Sequence, residues 1–283
     1  MKTCRTIASL RRALSACGEG RVGFVPTMGF LHEGHLSLVR RCRRENDVTV
    51  VSIYVNPSQF GPGEDLERYP RDLRRDSALL RGEGVDVLFM PGDAEMYPAP
   101  YRTWVDVREL DATLCGRSRP GHFRGVATVV LKLLNLVRPQ RAYFGQKDAQ
   151  QAIVLRQMLR DLHLPVRLRV LPIVRADDGL ALSSRNAYLS PGERQAALAL
   201  PRSLQRAAAM VRAGVTGARA VRAAMEEEIA CEPLLAVDYI AIVRLQDLEE
   251  TDVIEAGNTL IAVALRAGKT RLIDNLLLGD LSC

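Results

Sequence analysis

Apolar residues along the first 175 or so positions alternate between two periods. Short runs rich in β-branched residues are typical of buried strands and are predicted at residues 22–25, 48–55, 85–90, 141–144 and 166–170. Stretches with helical spacing lie between them, at residues 35–45, 71–81, 126–137 and 148–162. Strands that alternate with helices predict an α/β fold, in which a parallel sheet carries helices on both faces and binds ligands beyond the carboxyl ends of its strands.

The pattern changes near residue 190. Ser190 followed by Pro191 and Glu193 is typical of a helix start, and one alanine-rich helix is predicted from there to about residue 212. A second helix is predicted at 218–231, followed by β-like runs at 237–243, 259–265 and 272–277. We therefore predict two domains, residues 1–185 with the parallel sheet and residues 186–283 as a smaller α+β unit, with a hinge near 185–190.

Composition and charge narrow the class of protein. Of the 283 residues, 47% are hydrophobic and 25% are charged, which is ordinary for a globular protein. The chain contains no apolar run long enough to span a bilayer, and residues 1–12 lack the apolar core of a secretory signal, so a cytoplasmic protein without a membrane partner is expected. The net charge of +6 comes from arginines interleaved with acids, which favours small anionic ligands over nucleic acid.

The cysteines give no sign of a metal site or a disulfide framework. The six of them are scattered and none forms a C-x-x-C pair. Cys115 and His122 share a loop rich in Gly, Arg and Pro, but two ligands do not make a site. Reduced thiols are therefore expected.

The most informative segment covers residues 27–35, at a predicted strand-to-helix turn. A helix start offers free backbone N–H groups and a positive dipole end, which suit phosphate. Gly29 and Gly34 allow close approach of the backbone to a ligand. His32 and His35 can donate hydrogen bonds to phosphate oxygens. This pattern predicts a nucleotide site, and the plainer alternative is that both histidines are polar surface residues near a loop.

Three further segments carry candidate side chains, and each has a plainer interpretation. Asn56 and Gln59 could pair with substrate hydroxyl and carbonyl groups, or could stand in a proline-rich connector. Lys147 suits phosphate and Asp148 suits ribose hydroxyls, with Gln151 one turn into the next helix, unless these residues only cap that helix.

The third of these segments contains two hydroxyls and an arginine. They are Ser183, Ser184 and Arg185. These side chains could hold a triphosphate and neutralise a leaving pyrophosphate, or the segment could be a polar interdomain link.

The ordered set of motifs resembles the pantoate–β-alanine ligase family. The resemblance runs from about residue 22 to residue 189 and rests on P-T-M-G-x-L-H-E-G-H, N-P-x-Q-F, Y-P-R, C-G-x-x-R-P-G-H-F-R-G-V, Y-F-G-Q-K-D-x-Q-Q and L-S-S-R-N. The H-x-G-H part is shared with a wider nucleotidyltransferase superfamily. Two departures affect pocket detail only: Phe30 stands where the family often has a smaller or polar residue, and Asp72 where it usually has Thr.

The resemblance implies a Rossmann-like domain for ATP and pantoate, a C-terminal lid, Mg²⁺ carried with ATP, and a homodimer. It implies two chemical steps. The pantoate carboxylate attacks the α-phosphorus of ATP to give pantoyl adenylate and pyrophosphate, and the amine of β-alanine then displaces AMP. The transition state of the first step carries extra negative charge that histidine, lysine and arginine donors stabilise.

The resemblance also implies roles for particular residues. His35 matches the proton donor, and the other catalytic candidates are His32, Lys147 and Arg185. Gln59 and Gln151 match the glutamines that hold pantoate, Gln59 also borders the β-alanine site, and Asn56 is a further substrate candidate. Contacts with ATP are expected from Met28, Gly29, Phe30, Leu31, His32, Glu33, Gly34, His35, Gly145, Gln146, Lys147, Asp148, Val174, Leu182, Ser183, Ser184 and Arg185. The protein ligands of Mg²⁺ are left open.

Two rival functions remain at this point. An adenylyltransferase acting on a phosphate ester would release no AMP. A basic RNA-binding module would bind RNA with strong salt dependence and would not turn over ATP.

Overall fold

The computed structural model describes residues 1–282, and Cys283 lies outside the described residues. The strands are β1 Lys2–Cys4, β2 Val22–Thr27, β3 Val48–Ile53, β4 Val87–Phe89, β5 Arg141–Gly145, β6 Arg167–Leu171, β7 Leu235–Arg244, β8 Asn258–Ala267 and β9 Thr270–Gly279. The helices are α1 Ile7–Ser15, α2 Glu33–Glu45, α3 Leu73–Gly82, α4 Asp93–Met96, α5 Leu114–Ser118, α6 His122–Val137, α7 Ala149–Asp161, α8 Pro191–Ala197, α9 Ala199–Arg212 and α10 Ala218–Ala230.

Six strands form the parallel sheet that the alternating pattern predicts. Their order is β1-β4-β3-β2-β5-β6, and every neighbouring pair is parallel. Side chains alternate between the faces: Phe24 packs in the core with α1, α6 and α7, whereas Val25 packs in a separate core with α2 and α3. The predicted α/β fold is therefore confirmed.

The C-terminal residues form a three-stranded antiparallel sheet, in the order β7-β8-β9. One face, with Ile242 and Val263, packs against helices α8–α10. The opposite face, with Val243 and Ala262, joins the core of the parallel sheet. Both faces of this small sheet are thus buried, and apolar packing joins it to the parallel sheet.

Most element boundaries agree with the sequence pattern, and one prediction was wrong. The single helix expected to end at residue 212 is two helices, α8 and α9, which meet at Leu198. Pro201 lies in the first turn of α9, where its missing N–H is tolerated, but it cannot continue the hydrogen bonding of a preceding helix. The pattern also missed β1, α1, α4 and α5, which are short or lie at the edge of the sheet.

Three further expectations concern the chain as a whole. The five cysteines among residues 1–282 are free thiols. In the same range no helix is both long enough and apolar enough to cross a membrane. The domain boundary between residues 185 and 186 stays a prediction, and a short 3₁₀ turn, Ser184–Tyr188, runs across it.

Candidate active site

The topology of the parallel sheet determines where a ligand crevice forms. The chain passes from β2 to β3 and β4 on one side, and later from β5 to β6 on the other, so the switch point lies between β2 and β5. A cleft of about 230 Å³ opens there, beyond the carboxyl ends of these strands. It is lined by residues from all four segments that the sequence singles out.

The two histidines stand at the first turn of α2 and cap it together. The backbone N–H of Gly34 donates to Nδ1 of His32 (3.2 Å), and the backbone N–H of His32 donates to Nδ1 of His35 (3.3 Å). Their ring centroids are 4.1 Å apart. Because each Nδ1 accepts a hydrogen bond, the proton of each neutral ring lies on Nε2.

The electrostatic surroundings keep both rings neutral at pH 7. Burial and the nearby Lys147 lower the pKa of His32 to about 4. Burial, with His32 and Lys147 acting in the same direction, holds the pKa of His35 well below 6.5. The rings therefore offer Nε2–H donors without a buried positive charge. Whether His35 also transfers a proton stays a prediction, and the phosphates of a bound nucleotide would act to raise these pKa values.

The loop between β2 and α2 is held by a carboxylate that the sequence analysis missed. Asp76 on α3 is buried and accepts hydrogen bonds from the backbone N–H groups of Phe30 (2.7 Å) and Leu31 (2.8 Å). Gly29 and Phe30 both have positive φ, at 84° and 50°. A Cβ on Gly29 would lie 3.0 Å from a methyl group of Ile53, so only glycine fits this turn without strain. Asp72, the departure from the family pattern, simply caps α3 by accepting from the backbone N–H of Arg75.

The amides after β3 differ in their freedom to bind a substrate. Asn56 is buried and donates to Gln59 Oε1 (3.1 Å) and to the Gly125 carbonyl (3.2 Å), while its Oδ1 accepts from the Tyr97 hydroxyl (2.8 Å). Asn56 is therefore largely satisfied by the protein. The Nε2 group of Gln59 instead lies 3.3 Å from Met28 Sδ, a weak acceptor that a substrate oxygen can readily replace.

The turn after β5 is fixed by the C-terminal sheet. Asn275 on β9 donates to the carbonyl oxygens of Gln146 (3.0 Å) and Lys147 (3.1 Å), and accepts from the Gln146 side chain (3.1 Å). Lys147 reaches the cleft, where its Nζ lies 3.6 Å from Asp148 Oδ1. Nothing in the sequence around Lys147 indicates that Asn275, more than a hundred residues later, holds this turn.

Two neighbouring glutamines at the start of α7 have different surroundings. Gln150 is buried and its Oε1 accepts from the backbone N–H of Cys115 (2.9 Å), so its amide is used by the protein. Gln151 lines the cleft. Of the two, Gln151 is the one placed to contact a ligand.

The Ser183–Arg185 segment borders the cleft on its other side. Arg185 forms a two-point ion pair with Asp65, at 2.9 and 2.8 Å. Ser184 donates to the carbonyl of Phe30 (3.3 Å), which ties this segment to the loop before α2. Burial opposes ionisation of Asp65, but the Arg185 guanidinium nevertheless holds the pKa of that carboxyl below its usual range.

A second arginine of the cleft is paired in the same way. Arg119 donates to both carboxylate oxygens of Glu64 and to the ring of His122 (3.0 Å), and His122 Nδ1 lies 2.8 Å from the carbonyl of Gln59. Burial and Arg119 lower the pKa of His122 to about 4. Arg119 and His122 belong to the R-P-G-H motif, which by itself predicts no role for them; both contact the backbone carbonyl of Gln59 and fix its position.

The cleft brings together most but not all of the predicted site residues. Those that line it are Met28, His32, Gly34, His35, Asn56, Gln59, Gly145, Lys147, Asp148, Gln151, Val174, Leu182, Ser183, Ser184 and Arg185. Five do not: Gly29, Phe30, Leu31, Glu33 and Gln146. Leu31 is in the core, and Glu33 pairs with Arg40 on the surface. Their contacts with ATP stay a prediction.

Comparison with known proteins gives one consistent result. Residues 2–277 match the family model for pantoate-beta-alanine ligase. Pantothenate synthetases of Roseiflexus castenholzii and Moorella thermoacetica are 57% and 53% identical to this chain, each alignment covering 98% of this chain and 99% of the relative.

Solved structures agree with the sequence relatives. The crystal structure of pantothenate synthetase from Thermus thermophilus has a TM-score of 0.94 at 52% identity, covering 99% of this chain and 100% of that one. A pantoate-beta-alanine ligase from Francisella tularensis, complexed with beta-gamma ATP and beta-alanine, has a TM-score of 0.81 at 33% identity, covering 98% of this chain and 97% of that one.

Proposed function

The chain belongs to the pantoate–β-alanine ligase family, and from that premise we propose how its cleft residues divide the reaction. The enzyme condenses pantoate with β-alanine to pantothenate through a pantoyl adenylate, using ATP and releasing AMP and pyrophosphate. One observation carries our assignment of residues: two neutral histidines with Nε2–H donors stand beside Lys147 at the switch point of the sheet.

In the first step a pantoate carboxylate oxygen bonds to the α-phosphorus, and the bond from that phosphorus to the oxygen bridging to the β-phosphorus breaks. Negative charge grows on the phosphoryl oxygens and on the departing pyrophosphate. We assign His35 and His32 as hydrogen-bond donors and Lys147 as the positive charge at this centre. The neutral rings are an advantage, because their donors are fixed by the backbone of α2 before the substrate arrives.

In the second step the amine of β-alanine attacks the carbonyl carbon of the adenylate and AMP leaves. We assign pantoate to Gln59 and Gln151, which approach the cleft from different segments. Asn56 orients the Gln59 amide by donating to it, so its contribution to substrate binding is indirect. Gln59 lies between this site and Arg119, which is consistent with its bordering the β-alanine site.

ATP binding is assigned to the remaining wall of the cleft. Val174 and Leu182 provide apolar surface, and Ser183, Ser184 and Arg185 face the phosphates. For Arg185 this requires that phosphate share or replace its partner Asp65, and two of its N–H groups on Nη1 are not used in that ion pair.

We propose that Mg²⁺ enters with ATP. Residues 1–282 contain no group of three or more His, Cys, Asp or Glu side chains arranged to hold a metal ion. Asp148 is a suitable single ligand, because its carboxylate faces the cleft and is half exposed. One carboxylate with the phosphates of the nucleotide is a common arrangement for Mg²⁺.

We also propose that the C-terminal residues act as a lid, that the chain forms a homodimer and that it works in the cytoplasm. A surface for a second copy is provided by Trp104, which is 42% exposed, stacks on Tyr97 and contacts Tyr101 edge to face. Exposed aromatic clusters are common at protein interfaces. Sedimentation of the wild type and of Trp104→Ser tests this: we expect a dimer and a weakened dimer, respectively.

Exchange of labelled pyrophosphate into ATP tests the assignment of residues. Pantoate and MgATP should support exchange without β-alanine, because adenylation precedes amide formation. Pantothenate and AMP should accumulate only when β-alanine is added. Exchange that does not depend on pantoate, or amide formation without AMP release, would contradict the two-step scheme.

A further inference from the structure

Asn275 is a polar residue at an inward-facing position of a largely apolar strand. On β9 it shares a face with Ile273 and Leu277, and both of these pack against the core of the parallel sheet. The Asn275 side chain is buried as well. Burial of an amide costs free energy unless the protein satisfies its hydrogen bonds, so the partners of this side chain indicate what it does.

The hydrogen bonds of the Asn275 amide go to one turn of the active site. Its Nδ2 group donates to the carbonyl oxygens of Gln146 (3.0 Å) and Lys147 (3.1 Å), and its Oδ1 accepts from the Gln146 side chain (3.1 Å). Both carbonyls belong to the 3₁₀ turn Gln146–Asp148, which joins β5 to α7. Asn275 therefore holds the backbone from which the Lys147 side chain projects into the cleft.

The turn is not capped by its own side chains. The Asp148 carboxylate precedes α7 but makes no capping hydrogen bond to that helix. Gly145, at the start of the turn, has no side chain that could cap it. Asp148 Oδ1 instead lies 3.6 Å from Lys147 Nζ, a contact between side chains that leaves the backbone of the turn unheld. Side-chain anchoring of the turn therefore comes from β9.

Asn275 is itself fixed through its neighbour on the strand. The buried Asp274 carboxylate accepts from the backbone N–H of Asn275 (2.8 Å) and forms a two-point ion pair with Arg175, at 2.6 and 3.0 Å. Arg175 lies after β6, so this ion pair joins β9 to the chain that leaves the parallel sheet. The amide of Asn275 is thus oriented before it meets the turn.

We propose that Asn275 is a positioning residue for Lys147, so that the C-terminal sheet determines where the positive charge stands during adenylation. The proposal rests on the role assigned to Lys147 under the proposed function. Lysine carries its charge on a flexible four-carbon stem, so the ammonium is directed only as well as its backbone is fixed. A misplacement on the order of 1 Å can cost roughly a hundredfold in rate. Asn275 does not line the cleft, and its effect on the reaction therefore passes through Lys147.

Pantoate-dependent exchange of labelled pyrophosphate tests the proposal in a double-mutant cycle. Asn275→Leu nearly preserves the volume of the side chain but removes its three hydrogen bonds. We expect kcat for exchange to fall by roughly tenfold or more, with the KM values for pantoate and MgATP unchanged. In the Lys147→Ala background the same substitution should cause no further loss, because the group that Asn275 positions is absent.

Two further variants guard against an effect on folding alone. Asn275→Ala leaves room for its neighbours to relax and should show the same fall in kcat with unchanged KM values. Asn258→Ala is the matched control, since Asn258 lies on β8 of the same sheet and outside the cleft, and its exchange rate should be normal. Chemical denaturation of each variant confirms that the folded protein is being compared.

The outcomes separate this proposal from the role of Lys147 itself. Normal exchange by Lys147→Ala would contradict the assigned role of that residue and the positioning with it. Impaired Lys147→Ala together with normal exchange by both Asn275 variants would overturn the positioning alone. Equal losses from Asn275→Leu in the presence and absence of Lys147 would also overturn it, because the effect would then not pass through the lysine.

Discussion

The two sides of the cleft both present hydrogen-bond donors for phosphate, but one side uses neutral side chains and the other a charged one. On the α2 side, His32 and His35 are neutral, and both Nδ1 atoms are occupied by backbone N–H groups of the same turn. On the opposite side Arg185 carries a full charge that is matched by Asp65, a residue 120 positions away in the sequence. The neutral donors are ready for phosphate as they stand, whereas the charged donor must exchange one anion for another.

The difference follows from the cost of burying charge. An unpaired guanidinium in a half-buried cleft loses hydration without compensation, so a charged group at this depth requires a partner. Both arginines of the cleft have one, Asp65 for Arg185 and Glu64 for Arg119. A neutral imidazole avoids this cost, and the local backbone of α2 is sufficient to orient it.

Removing a donor from the neutral side should have a severe effect on turnover. For His35→Ala we expect kcat to fall by about a hundredfold or more with the fold intact, the size typical of one transition-state donor. Pantoate-dependent pyrophosphate exchange measures the loss. His163→Ala is the control, because His163 is exposed and does not line the cleft. Near-normal exchange by His35→Ala would show that α2 does not stabilise the transition state.

Acid should destabilise the protein through the neutral histidines. The pKa of His32 falls from 6.5 in an unfolded chain to about 4 in the folded protein. Between these values the unfolded chain binds a proton that the folded protein does not, so stability is present above pH 6.5 and is lost as the pH falls towards 4.

His32→Asn isolates this contribution. Asparagine retains an oxygen that can accept from the N–H of Gly34, but it does not titrate. Between pH 6.5 and 4.5 we expect the variant to lose less unfolding free energy than the wild type, by about 2 kcal/mol, in chemical denaturation. His35 and His122 still titrate in both proteins. Identical pH dependence in the two proteins would contradict a neutral His32.

The glutamines of α7 allow a sharper test of substrate contact. Gln151→Ala should weaken the apparent affinity for pantoate by roughly tenfold and leave ATP binding almost unchanged, because loss of one amide leaves a substrate hydroxyl unsatisfied. Steady-state kinetics with each substrate varied gives both values. Gln157→Ala, on the same helix but away from the cleft, is the matched control. Equal losses for pantoate and ATP would contradict the assignment.

How much of the structure can be predicted from the sequence depends on how far apart the interacting residues lie along the chain. The strands, the start of α2 and the order of the motifs are local patterns, so the parallel sheet and the residues lining its switch point could be predicted. The partners that fix those residues are distant: Asp76 holds the loop at Phe30, and Asn275 holds the turn at Lys147. Such pairs leave no local pattern, since acids and amides are also common on solvated helices and strands.

The smallest expected effect comes from removing the carboxylate that competes with phosphate for Arg185. This substitution should strengthen ATP binding rather than weaken it. Asp65→Asn keeps the shape of the side chain but removes the charge that competes with phosphate for Arg185. We expect ATP to bind about threefold more tightly, within the range of a partly exposed ion pair. In the Arg185→Ala background the same substitution should have no effect on ATP affinity, because the competition has been removed. If Asp65→Asn instead weakens ATP binding as much as Arg185→Ala does, the carboxylate orients the arginine for phosphate, and the charged side of the cleft is as preorganised as the neutral one.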